Sequence, residues 1–182
     1  GLPGDMGGGV VMNAGVGHDV APKEFCEIVE WIECIDLNDA NFAVRRKTVG
    51  ELKFTYRKSK GWKPGIITRI GIAWTEQPDD TVLKRLQEGN KRRMSTQPLQ
   101  YPSCGSVFKN PAGDKSGRLI ESCGLKGFTV GGAQVSEKHA NFIINVGGAT
   151  ASDILAVKNH VQKTVKDKTG FDLETEFIFL GR

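Results

Sequence analysis

Three polar side chains sit in surroundings that suit chemistry. They are Arg57 in Tyr56-Arg57-Lys58-Ser59, Ser106 in Cys104-Gly105-Ser106-Val107-Phe108-Lys109-Asn110-Pro111, and Glu176 in the run LETEFIFL at 173–180. An arginine closing a strand can grip a carboxylate or phosphate through two parallel hydrogen bonds. Its plain alternative is a solvated arginine. A serine beside a glycine in a polar loop is a setting for a reactive hydroxyl. The position two beyond Ser106 is Phe108 rather than glycine, so the segment is not a nucleophile elbow, and no histidine motif supplies a triad. The alternative there is a turn serine. Strand alternation would put Glu174, Glu176, Ile178 and Leu180 on one face. A carboxyl among apolar neighbours is partly desolvated, which favours its neutral, hydrogen-bond-donating form. The alternative is an edge-strand glutamate facing water.

Residues 1–17, GLPGDMGGGVVMNAGVG, contain seven glycines. Asp5 can cap a helix beginning at Met6, and Gly7, Gly8 and Gly9 leave its start bare of side chains. Bare helix starts present backbone N–H groups to an anion or cofactor. The spacing is GxxGxxG, not the dinucleotide GxGxxG, so a tight structural turn stays open as the alternative. His139 precedes an apolar run, which suits either a ligand contact or a hydrogen-bonded core histidine.

These groups need elements to position them. Residues 25–36 read as a strand and 38–41 as a turn. Residues 50–59 read as a strand running into a loop, and 65–74 as a largely buried strand. Pro78-Asp79-Asp80 opens a helix through about Arg93, with Val82, Leu83 and Leu86 as its apolar stripe. The link 95–105 marks a domain boundary, and 106–115 is a loop. A short helix at 116–123 ends at Gly124, and a strand follows at 140–146. Thr150 and Asp153 cap a long helix lined by Ile154, Val157, Val161 and Val165 and stopped by Gly170. The last strand is 173–180. Strands and helices mix without a βαβ rhythm, so the class is α+β. The domains expected are 1–96, 97–170, and a final strand at 171–182.

The chain has 182 residues, 38% hydrophobic and 25% charged, which suffices for a real core. A net charge of +4 tolerates an anionic ligand but falls short of a nucleic-acid binder. Cys26, Cys34, Cys104 and Cys123 form no CxxC, so neither a zinc site nor a disulfide scaffold is expected. No apolar run approaches the ~18 residues of a membrane span. The chain opens inside a glycine-rich motif without an initiator Met, which reads as a fragment of a longer protein. A cytoplasmic monomer with reduced thiols is the resulting expectation.

Taken together and in order, these segments resemble one family. GLPGDMGGGVVMNAG, YRKS, CGSVFKNP, GRLIESCGLKGFTVGGAQVSEKHANFIIN and LETEF are similar to segments of bacterial UDP-N-acetylenolpyruvoylglucosamine reductases. The resemblance covers nearly the whole chain. The 49 positions from Arg57 to Ser106 match the shorter type, which lacks a tyrosine-bearing insertion. Two departures stand out. The family's last strand usually reads EVR where this chain has Glu176-Phe177-Ile178, and Cys104 replaces a common alanine. The resemblance implies part of an FAD-binding domain followed by a UDP-sugar-binding domain. It implies reduction of UDP-N-acetylglucosamine enolpyruvate by NADPH through FAD. Arg57, Ser106 and Glu176 would be catalytic. Gly4, Gly7, Gly8, Met12, Asn13 and Gly15 would line the flavin, and Lys109, Asn110 and His139 would meet the substrate. A non-catalytic UDP-sugar-binding module on the same fold is the rival expectation.

Overall fold

The computed structural model describes residues 4–15, 24–73 and 80–180. The chain divides into two compact units, Gly1–Val82 and Leu83–Arg182, and each is taken by itself.

In the first unit, helix α1 (Met6–Val11) begins where expected, but Asp5 makes no side-chain capping bond. Gly9 is required by close approach: a Cβ there would lie 2.5 Å from the Phe25 ring. That contact seats α1 on a single 3-10 turn, Phe25–Glu27, closed by a reciprocal Glu24/Glu27 cap. The run 25–36 is therefore not one strand. Its first residues are spent on this turn, and β1 (Val29–Asp36) follows.

β1 is the centre of an antiparallel sheet ordered β2 (Val44–Thr48), β1, β5 (Gly65–Ile72). Its pairs include Trp31 with Thr48 and Ile32 with Ile70. β2 was not expected, because VRRKT is a charged, exposed edge sequence with no apolar alternation. β5 is less buried than its composition suggested. It too is an edge, and Ile66 and Ile72 are exposed. Residues 50–59 fold as a helical turn, α2 (Val49–Leu52), and a tight hairpin, β3 (Phe54–Thr55) with β4 (Lys58–Ser59). The Thr48/Glu51 capping box turns the chain into the helical turn first, which confines the strands to the short hairpin that follows. Val10, Val29, Ile32, Cys34 and Leu52 form the core.

In the second unit, α3 (Val82–Thr96) runs past Arg93. Leu83 and Leu86, two residues of the apolar stripe, are exposed. Pro78, Asp79 and Trp74 lie outside the described residues. β6 (Ser103–Ser106) begins inside the expected link and ends on Ser106. It opens an antiparallel sheet ordered β6, β9 (Phe142–Asn145), β8 (Ala133–Val135), β7 (Thr129–Val130). The β7–β8 hairpin is too short to declare itself by alternation. Between β6 and β7 lies α4 (Ser116–Ser122), and Gly124 follows it with φ +74°.

α5 (Ala151–Thr169) has the cap expected of it. Thr150 Oγ1 accepts from Asp153 N at 3.1 Å, and Asp153 Oδ2 accepts from Thr150 N at 2.9 Å. Val157, Val161 and Val165 are fully buried with Leu119, Ile120, Ala133 and Val135. The run 173–180 is not a strand. It makes one isolated bridge, Thr175 to Phe108. Its partner stretch reaches Asn110-Pro111 within two residues, and proline has no N–H to extend a ladder. Ile178 and Leu180 consequently stand in solvent, and only Leu173 is buried. Helices and antiparallel sheets place the fold in the α+β class. Among the described residues, no helix is long and apolar enough to cross a membrane.

Candidate active site

In the second unit, Ser106 pairs with Phe142 across β6 and β9. The register slips between Ser103 and Ser106, where Gly105 takes φ +82°, a value that suits glycine. This bulge sets the direction in which the serine leaves the sheet. The next residues are held from two sides. Val107 N donates to Asn141 O at 2.9 Å, and Glu176 N donates to Val107 O at 2.8 Å. Lys109 N donates to Glu174 O, also at 2.8 Å. Glu176 is thus fixed by its backbone to the neighbour of Ser106. Ile178 and Leu180 do not provide the apolar surroundings expected for its carboxyl, because both are exposed.

Lys109 is committed to an ion pair with Glu174, Nζ to Oε1 at 2.5 Å. Asn110 Oδ1 accepts from Ser116 N at 3.1 Å and so caps the start of α4. His139 packs edge-on to Phe142, and its Nδ1 accepts from Asn141 N at 3.2 Å. Burial pushes its imidazole below the ordinary value, with the Lys126 charge adding to the effect. Cys104 is exposed as a residue, but the protein around its sulfur and then the Glu176 carboxylate push its thiol up.

In the first unit, Arg57 is not at a strand end but in the turn of the β3–β4 hairpin, with left-handed backbone, φ 52°. Its Nη2 donates to Gly15 O at 3.1 Å, and its guanidinium lies 4.9 Å from the Tyr56 ring. Asn13 is buried, also left-handed, and uses its whole carboxamide. Nδ2 donates to Glu24 Oε2 at 2.7 Å and to Thr55 O at 3.1 Å, while Oδ1 accepts from Cys26 N at 3.0 Å. The end of the glycine-rich segment is therefore laced to the hairpin that carries Arg57. Met12 lies half-buried beside Asn13.

The start of α1 bears on cofactor binding. The first amides of a helix lack internal partners, and Asp5 does not cap them. A Cβ on Gly8 would meet nothing within 4 Å, and one on Gly7 would meet only Ile67 at 3.9 Å. Gly4 is left-handed at φ +141°. These residues suit the close approach of a flat ligand with acceptor atoms.

In the second unit, Ser106 and His139 both lie against Phe142 of β9, while backbone bonds tie Val107 to Glu176 and Lys109 to Glu174; in the first, Arg57, Asn13 and Gly15 are joined through Glu24 and the Gly15 carbonyl. Sequence reasoning missed Glu24 and Asn141, which bind these residues together. Their signal was weak, since each makes its key contacts across more than ten residues of chain.

Comparison with known proteins agrees with this division. Residues 97–180 match the family described as UDP-N-acetylenolpyruvoylglucosamine reductase, C-terminal domain. The UDP-N-acetylenolpyruvoylglucosamine reductase of Caldanaerobacter subterraneus subsp. tengcongensis is 42% identical over 185 residues. That of Pediococcus pentosaceus is 44% identical over 182. Each alignment covers 100% of this chain and 58% of the relative. The chain therefore spans little more than half the length of these curated relatives. The crystal structure of the corresponding reductase from Thermus caldophilus matches with a TM-score of 0.80 and 37% identity. That match covers 98% of this chain and 61% of the other.

Proposed function

We propose that the chain is the substrate-reducing part of a UDP-N-acetylenolpyruvoylglucosamine reductase, because residues 97–180 match the C-terminal domain of that family and its curated relatives align along the whole chain. The proposed reaction converts UDP-N-acetylglucosamine enolpyruvate to UDP-N-acetylmuramate for peptidoglycan, with NADPH as reductant, in the bacterial cytoplasm. FAD, held along Gly4, Gly7, Gly8, Met12, Asn13 and Gly15, would supply the hydride-carrying centre.

The chain's own residues answer to charge. Hydride addition at the terminal carbon of an enolpyruvyl group leaves enolate character on the adjacent carbon and its carboxylate. Arg57 would hold that carboxylate through paired N–H donors. Glu176 would sit against the developing enolate oxygen and, whenever it carries a proton, donate to it. Ser106 would deliver the proton from its hydroxyl to the carbanionic carbon. Asn110 and His139 would contact the UDP-sugar. Lys109, through its pair with Glu174, would hold the loop between Ser106 and α4 in place.

The observation that supports this reading most is the bond from Glu176 N to Val107 O, which keeps the proposed acid's neighbour and Glu176 in register. The test is spectroscopic. In the intact protein, NADPH should bleach the flavin absorbance and the enolpyruvyl substrate should restore it. A Glu176→Ala variant, which removes the donor, should bleach normally and recover at least 10²-fold more slowly. Recovery at the unaltered rate would remove Glu176 from the reaction.

A further inference from the structure

Glu24 lies between the two parts of the first unit that chemistry would use. Its Oε2 accepts from Asn13 Nδ2 at 2.7 Å, and its Oε1 faces Arg57 Nη1 at 3.6 Å. The two side chains of this pair are only 18% (Arg57) and 29% (Glu24) exposed. Solvent screening is therefore weaker than for a surface pair. A second anchor acts on the other terminal nitrogen, where Arg57 Nη2 donates to Gly15 O. An arginine in a two-residue turn would otherwise sample many rotamers, and a clamp works only when held close to its productive geometry.

We propose that Glu24 is a positioning residue, which aligns the Arg57 guanidinium for a substrate carboxylate and links that alignment to the Asn13–Gly15 segment. The proposal rests on the reading of Arg57 as the carboxylate clamp. At 3.6 Å the pair is longer than a tight charge-assisted hydrogen bond and acts on the guanidinium mainly through charge. A second consequence follows from charge. Glu24 and the substrate carboxylate are both anions near one cation, so Glu24 opposes ground-state binding while it improves orientation. Neutralising it should slow the reaction without weakening substrate binding. A merely structural residue has no reason to separate these two effects. Glu24 also caps the 3-10 turn with Glu27, so the test must distinguish support of the fold from alignment.

Glu24→Gln keeps an acceptor for Asn13 and removes the charge facing Arg57. The intact protein carrying this chain is reduced anaerobically with NADPH and mixed with enolpyruvyl UDP-sugar. Reduction should stay within twofold of the unaltered protein. Reoxidation by substrate should slow at least tenfold, with KM no higher. The thermal midpoint should be unchanged, and the Arg57 Nε–H resonance should show a lower order parameter by nuclear magnetic resonance. Reoxidation at the unaltered rate overturns the proposal, and so does a parallel loss of flavin retention and thermal stability. Arg57→Ala is the control. If it reoxidises normally, the clamp reading fails and the proposal fails with it. If it is slow while Glu24→Gln is normal, only the role of Glu24 is lost.

Discussion

Asn141 grips Phe108 with both ends of its carboxamide: Oδ1 accepts from Phe108 N at 3.0 Å, and Nδ2 donates to Phe108 O at 2.8 Å. Both residues are buried. The side chain thus replaces a missing strand neighbour at the point where β6 ends. Asn141→Ala would leave a buried N–H and a buried carbonyl unpaired. The expected loss is about 2–6 kcal/mol of unfolding free energy, since each of the two orphaned groups costs about 1–3 kcal/mol. Denaturant titration would measure it, and a loss under 0.5 kcal/mol would mean that water replaces both bonds.

Ser106→Ala separates the two halves of the proposed reaction. The variant should be bleached by NADPH at the unaltered rate and should fail to form product. Normal turnover would show that another group delivers the proton.

Two adjacent glycines should respond in opposite ways. A Cβ at Gly9 meets the Phe25 ring at 2.5 Å, whereas one at Gly8 meets nothing within 4 Å. Gly9→Ala should destabilise the first unit by about 1–3 kcal/mol through overpacking. Gly8→Ala should leave stability unchanged or raise it by up to about 1 kcal/mol through helix propensity. If the flavin lies along α1, Gly8→Trp should nevertheless lower flavin retention. Thermal unfolding and the flavin-to-protein absorbance ratio report the two effects separately.

His139 should make the second unit less stable in mild acid. Burial holds its folded-state pKa below the unfolded one. Its stabilising contribution is therefore complete above the unfolded value, near 6.5, and is lost as pH falls through the folded value. His139→Asn offers an oxygen where Nδ1 accepts from Asn141 N. The variant should show a flatter decline in unfolding midpoint between pH 7.5 and 5.5. Equal slopes in both proteins would refute the assignment.

What the sequence made legible follows from how local the cause was. The cap at Thr150, the valines at 157, 161 and 165 and the stop at Gly170 lie within one helix, and they appear as read. The first-unit sheet was only half legible. The edge strand Val44–Thr48 has no buried face to impose alternation. The Thr48/Glu51 capping box made a helical turn of residues 49–52 and left β structure only to the short hairpin after it. For the candidate site, residue types were readable and their supports were not. Arg57 is held by Glu24 and Gly15, and Phe108 by Asn141, through contacts that no spacing rule anticipates. The expected strand at 173–180 failed for a similar reason. Its alternation was real, but its partner stretch ran out at Pro111.

The attachment of residues 174–176 has a consequence on the time axis. The two backbone bonds that make up the isolated Phe108–Thr175 bridge, with the Lys109–Glu174 ion pair, join this stretch to Val107–Lys109, whereas α5 is sealed by three buried valines. The stretch is flanked by Leu173 in the core and Phe177 packed against it, so it would open as a short unit between two anchored side chains. The amides of Lys109 and Glu176 should then exchange with deuterium well before those of Val157 and Val161. If Glu176 acts on the substrate as proposed, bound substrate should slow the exchange of its amide, like a latch pressed shut.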